Sequence, residues 1–204
     1  MKKVLLGLLV LILGIAGYYW YMFSKEGGGN SSPKQEALTL KKHSDTFNLS
    51  VTAAMNAYFE MSAAFVEADT AKAKLAAGKF VQLLDTIPLE ELKKDTANLY
   101  DVAVGTFDGI KSNAADILVQ TNLVEMRKDF SMVSENLYPF FKIINYEGDK
   151  MYWQNCPMAF GDDKEANWVS KTTEVVNPYL GKNHPEFKAT MLHCGIIKDT
   201  IKAK

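Results

Sequence analysis

The two cysteines of this 204-residue chain lie in "YWQNCPMAFG" (152–161) and "MLHCGII" (191–197), and each has a methionine close by. Cys156 and Met158 are two residues apart in a Cys-Pro-Met stretch. The proline fixes its own φ and biases Cys156 towards extended backbone. Met191 and Cys194 are three residues apart, the spacing of a turn or of one helical face. Thiolate and thioether sulfurs are soft ligands that select Cu(I) among the common biological metals. A fold that joins the two pairs makes a two-thiolate, two-thioether site, and His193 could add a nitrogen. The same residues support two other readings. Cysteines in an oxidising compartment pair, so Cys156 and Cys194 could form a disulfide. Closing a loop of this size is worth about 4 kcal/mol in the chain-entropy model. Methionines beside cysteines also serve as core filler. Spacing alone leaves all three readings open.

Other chemistry is poorly represented. Basic residues number 23 and acidic residues 24, for a formal net charge of −1. No basic stripe of the kind that tracks a phosphate backbone is visible, so no nucleic-acid partner is expected. No Gly-rich phosphate loop and no HExxH pair is present. His43, His184 and His193 are scattered. The absence of a Cys-x-x-Cys motif argues against a thiol redox protein. No nucleophile–base pair is marked, and Asp162, Asp163 and Glu165 read as turn chemistry. The chain is not expected to be an enzyme.

The cysteines must be positioned by what precedes them. Residues 1–23, "MKKVLLGLLVLILGIAGYYWYMF", carry Lys2 and Lys3 and then twenty uncharged, largely apolar residues. A helix of that length spans about 30 Å, the thickness of a hydrocarbon core. Tyr18, Tyr19, Trp20 and Tyr21 suit the lipid–water interface, and the two lysines keep the N-terminus in the cytoplasm. This predicts a single-pass anchor in the inner membrane with the remainder on the periplasmic side. A signal peptide cleaved near Gly14-Ile15-Ala16 is the alternative. Residues 24–44, with Gly27-Gly28-Gly29 and Pro33, read as a flexible tether.

Four helical stripes follow, over residues 45–146. They are Phe47, Val51, Met55, Tyr58 and Phe65; Ala73, Ala77, Phe80, Val81, Leu84 and Ile87; Leu99, Ala103, Phe107, Ile110, Ala114 and Ile117; and Met126, Phe130, Val133, Leu137, Phe140 and Ile144. Asp69, Asp95 and Asn122 are the expected N-caps, with Glu125 as capping-box partner of Asn122. Pro139 is expected to kink the fourth helix or end its regular part, and "LEELKKD" (89–95) reads as a solvated turn. Short links favour antiparallel neighbours, so the expected fold is mainly α, an antiparallel up-down four-helix bundle. Residues 147–204 read as a hook packed on the bundle. In it "MYWQNC" and "NWVSKT" form a β-hairpin, turns fall at Asn177-Pro178 and Gly181, and a short helix closes the chain from Ile196 to Lys202.

"NAYFEMSAAFVEADTAKAK", the bundle after it, and then "YWQNCPMAFGDDKEANWVSKTTEVVNPYLGKN" and "MLHCGIIKDTI" resemble the bacterial three-three-four-seven domain of unknown function over roughly 46–201. That resemblance implies that Cys156, Met158, Met191 and Cys194 match motif positions, and that Asn177, Pro178, Tyr179 and Gly181 match a structural turn. Leu180 replaces the usual aromatic, "NHPEFKAT" lengthens the link before Met191, and His193 stands where a small polar residue is usual. Related domains are attached to periplasmic adaptors of copper/silver efflux pumps. The resemblance therefore implies a tethered domain that binds or delivers Cu(I) or Ag(I), partnered by an efflux or metal-handling envelope protein. The alternative is a disulfide-stapled interaction module without metal.

Overall fold

A computed structural model describes residues 14–15, 18–21, 43–94 and 99–201. Most of the expected anchor, the tether residues 24–42 and the expected cap Asp95 lie outside the described residues. Residues 14–15 and 18–21 are helical, with Tyr18, Tyr19, Trp20 and Tyr21 exposed. Among the described residues no helix is long and apolar enough to cross a membrane. The chain divides into two compact units, Met1–Glu36 and Ala37–Lys204, and all the elements named below belong to the second.

The four apolar stripes become four helices. Helix α1 spans Asp45–Val66, α2 Thr70–Leu84, α3 Tyr100–Val119 and α4 Leu123–Ile143. Three begin at a side-chain cap that accepts a backbone N–H, which satisfies one of the orphan donors of the first turn. Ser44 accepts from Phe47, Asp69 from Lys72 and Asn122 from Glu125. Glu125 does not complete a capping box, because its carboxylate pairs with Lys128 at 2.8 Å. Nor does Pro139 end α4, which continues to Ile143. Phe140 and Phe141 are both buried just beyond the proline, and that packing outweighs the hydrogen bond Pro139 cannot donate.

Paired contacts run in opposite senses along each neighbouring pair, so the helices are antiparallel. Glu60 meets Lys79 between α1 and α2, and Gln120 and Gly109 of α3 approach Asp129 and Asn136 of α4. Tyr58 of α1 stacks on Phe130 of α4 at 5.1 Å, and Phe65 of α1 packs tilted against the same ring at 5.0 Å. The link between α2 and α3 is less solvated than its charges suggest. Leu89–Lys94 forms a 3₁₀ turn that fully buries Leu92.

The region after α4 holds a three-stranded antiparallel sheet, β1 (Met151–Cys156), β2 (Ala166–Ser170) and β3 (Ile196–Ile201), in the order β2-β1-β3. The expected hairpin is β1–β2, with Trp153 opposite Val169 and Cys156 opposite Ala166. The expected closing helix is wrong, because Ile196–Ile201 is a strand. Four of its six residues, Ile196, Ile197, Thr200 and Ile201, are β-branched, which lowers helix propensity and suits a pleated surface. The second edge of β1 supplies the ladder that a lone segment lacks, with Asn155 opposite Ile196 and Met151 opposite Ile201. A central strand is covered on both sides, and five of the six β1 residues are buried.

Sheet and bundle share one core. The Tyr58 hydroxyl lies 2.7 Å from the Ser134 hydroxyl and accepts the Val169 N–H at 3.1 Å, joining α1, α4 and β2. Trp168 and Tyr179 are buried against each other, and Tyr179 also faces Phe130 of α4.

Candidate functional site

Cys156 is the last residue of β1, and its partner strand ends there at Ala166. Cys194 closes a turn in which its N–H donates to the Met191 carbonyl at 3.0 Å. Gly195 then starts the return into β3 at φ +149°, and a Cβ there would lie 2.6 Å from the Asn155 carbonyl oxygen. Only glycine fits that close approach of the turn to β1. The Cys156 and Cys194 sulfurs lie 3.6 Å apart, with Cys156 buried and Cys194 partly so. Both are free thiols. Burial pushes the Cys156 thiol up to about 11, against an N–H from Met158 and the side chain of Asn177, which favour the thiolate.

Asn177 organises this end of the hook. Its side-chain oxygen accepts the N–H groups of Tyr179 and Leu180 at 2.8 and 3.1 Å, an Asx-type arrangement. Its amide donates to the Cys194 carbonyl at 2.8 Å, and its backbone N–H to the Leu192 carbonyl at 2.8 Å. The Asn177–Gly181 turn closes with the Gly181 N–H on the Asn177 carbonyl at 2.9 Å. Gly181 sits at φ +62°, where a Cβ would lie 2.5 Å from the Val66 carbonyl oxygen, so the turn presses on the end of α1. The Tyr179 hydroxyl donates to the Asn167 carbonyl.

Of the five residues considered for the site, the fold brings Cys156 and Cys194 face to face. Met158 and Met191 are partly buried against the shared core, each in the turn next to its cysteine. The Nδ1 of His193 is engaged by the Val175 carbonyl at 2.7 Å. Among the described residues no three His, Cys, Asp or Glu side chains cluster as a metal site. The donors on offer to a soft ion are therefore the two thiols, with the methionine thioethers beside them in sequence.

Residues 54–148 match the model of a family described as "Protein of unknown function (DUF3347)". The DUF3347 match runs from Ala54 in α1 through α4 to Gly148 and stops before β1. Cys156, Met158, Met191 and Cys194 all lie beyond it. No curated protein and no solved structure shows a significant match to the chain.

One residue inside the match escaped notice in the sequence. Arg127 of α4 is 5% exposed. Its Nε donates to the Pro178 carbonyl at 2.9 Å and its Nη2 to the Phe65 carbonyl at 2.8 Å, tying the Asn177–Gly181 turn to the end of α1. The available signal was that it is the only arginine in the chain, next to Met126 on the apolar side of the fourth stripe.

Proposed function

We propose that this chain is a membrane-tethered, extracytoplasmic domain that binds Cu(I) or Ag(I) through Cys156 and Cys194. The observation that carries the reading is the 3.6 Å separation of two free sulfurs held by different elements. Soft monovalent ions accept low coordination numbers and prefer thiolate and thioether sulfur. Two facing thiols at the buried end of a strand supply the primary donors, and Met158 and Met191 are the candidate thioethers. Tethering is supported by the apolar run that follows Lys2 and Lys3. In this reading the metal is cargo, and the partner is an efflux or metal-handling envelope protein.

The protein's own part is proton release and shielding. With its pKa pushed to about 11, Cys156 is a thiol at neutral pH. Metal must displace that proton, so binding strengthens as pH rises. The N–H of Met158 and the side chain of Asn177, which favour the Cys156 thiolate, offset part of that cost. The same separation supports a second reading, a disulfide staple in an interaction module. The sulfurs are farther apart than the roughly 2.05 Å of a disulfide bond, and closing it would draw the turn towards β1. Thiol titration with and without reductant, alongside metal analysis, separates the two. Two free thiols with stoichiometric copper or silver support metal binding, whereas no free thiols and no metal support the staple.

A further inference from the structure

Among the described residues Arg127 is a buried cation without a counter-ion. It is the only arginine among the 23 basic residues. Both of its hydrogen bonds go to neutral backbone carbonyls. Among the described residues no carboxylate forms an ion pair with it. A guanidinium has five N–H donors, and among the described residues these two bonds leave three of them to the cavity or solvent. Burial lowers its pKa to about 10, so it stays charged at neutral pH. A buried charge without a partner is costly, and an anion beside it removes that cost.

Arg127 lines a cavity of about 560 Å³, bounded by α4, the 158–164 turn and the 179–187 segment. Pockets for small molecules span about 300–1,000 Å³. Met158, Phe160, Leu180 and Phe187 give it an apolar wall. Lys128, at its rim, is paired with Glu125 at 2.8 Å, and Lys164, Asp162 and Glu186 also line it, so Arg127 is the lining cation whose hydrogen bonds go to neutral groups alone among the described residues. His184 adds a second donor. Its Nδ1 accepts the N–H groups of Glu186 and Phe187 at 3.3 and 3.2 Å, so the neutral ring carries its proton on Nε2. Burial and the charge of Arg127 both favour that neutral ring.

We propose that this cavity binds a small organic monocarboxylate. Its carboxylate would be held by Arg127 and the His184 Nε2–H, with its apolar body against Met158, Phe160, Leu180 and Phe187. One carboxylate matches the one guanidinium that has no carboxylate partner among the described residues, and the apolar wall selects against a bare inorganic anion. Met158 is shared with the metal reading, but the carboxylate contacts at Arg127 and His184 do not depend on metal at the cysteines.

The lone arginine makes the test direct, because the full chain has a single arginine Nε–H resonance. Titration with 3-phenylpropionate should bind and shift that resonance. The matching alcohol, 3-phenylpropanol, should bind at least about tenfold more weakly, since it lacks the charge-assisted bonds. Val124 is exposed and lines the cavity, so Val124→Trp should obstruct the site and weaken the acid by a similar factor while leaving the fold intact. Arg127→Met should abolish the preference for the acid. Acid and alcohol binding equally, an unmoved arginine resonance at saturation, or no binding of the acid into the millimolar range would each overturn the proposal.

Discussion

The side-chain amide of Asn177 donates to the carbonyl of Cys194 at 2.8 Å, while its oxygen receives the N–H groups of Tyr179 and Leu180. One fully buried side chain thus sets both the Asn-Pro-Tyr turn and the backbone that presents a cysteine sulfur. Through Tyr179 and Arg127 the same turn is tied to β2 and to α1. The spacing of the two cysteines is therefore fixed by the body of the domain.

Asn177→Ala should be strongly destabilising. It leaves one carbonyl and two N–H groups without partners in a buried place, at about 1–3 kcal/mol for each buried group left unsatisfied. We expect a loss above about 2 kcal/mol in urea titration, together with faster alkylation of Cys156. A change within about 0.5 kcal/mol, typical of an unimportant surface site, would contradict the role assigned to Asn177.

Tyr58→Phe tests the joint between bundle and sheet. The hydroxyl is the acceptor for Val169 and the partner of Ser134, and phenylalanine keeps the ring packing while orphaning the Val169 N–H. The expected cost is about 1–3 kcal/mol. Adding Ser134→Ala should cost little more, since Ser134 also donates to the Phe130 carbonyl within its own helix. Additive losses would show that the pair does not act as a unit.

Phe130→Ala should be the more damaging of two core truncations. Phe130 is fully buried and meets Tyr58, Phe65 and Tyr179. Phe107 is 7% exposed and meets Phe140. A fully buried phenylalanine costs about 3–5 kcal/mol, and Phe107→Ala should fall below Phe130→Ala. The reverse order in a denaturant titration would mean that the core is centred elsewhere.

The bundle was legible because its signal is local. Each stripe repeats at three- and four-residue steps, and Asp69 and Asn122 announce helix starts by residue type alone. The hook was legible only where its pairing is local. The β1–β2 hairpin could be read from alternation and a turn, but β3 could not, since "IIKDTI" is short and its partner lies some forty residues earlier. For the candidate site, the sequence offered the cysteines as a pair but not their separation. That separation depends on Asn177 and Gly195, whose effects are long-range contacts. Arg127 was hidden because a charged residue beside a helix stripe is ordinarily solvated. Only tertiary packing shows it buried.

Alkaline pH should act on Cys156. Burial raises its folded pKa to about 11 from the ordinary 9.0, so the neutral thiol is favoured in the folded state. Its contribution to stability is fully present below about pH 9 and is lost as pH rises through about 11. Reduced wild type should therefore lose more stability over that window than Cys156→Ala. Buried tyrosines such as Tyr146, pushed up to about 12, titrate in both proteins and cancel in the comparison. Parallel curves for the two proteins would contradict a perturbed thiol.

The central claim is tested most directly by competition of the reduced protein against a Cu(I) chelator. Wild type is compared with Cys156→Ser/Cys194→Ser and with Met158→Leu/Met191→Leu. Leucine conserves methionine's volume at a cost below about 1.5 kcal/mol but has no lone pair to offer. The expected result is one Cu(I) per wild-type chain, none held by the double serine variant, and a weaker but measurable affinity in the double leucine variant with its melting behaviour unchanged. Failure of reduced wild type to compete for Cu(I), or equal affinity in wild type and the double serine variant, would contradict a metal site at Cys156 and Cys194.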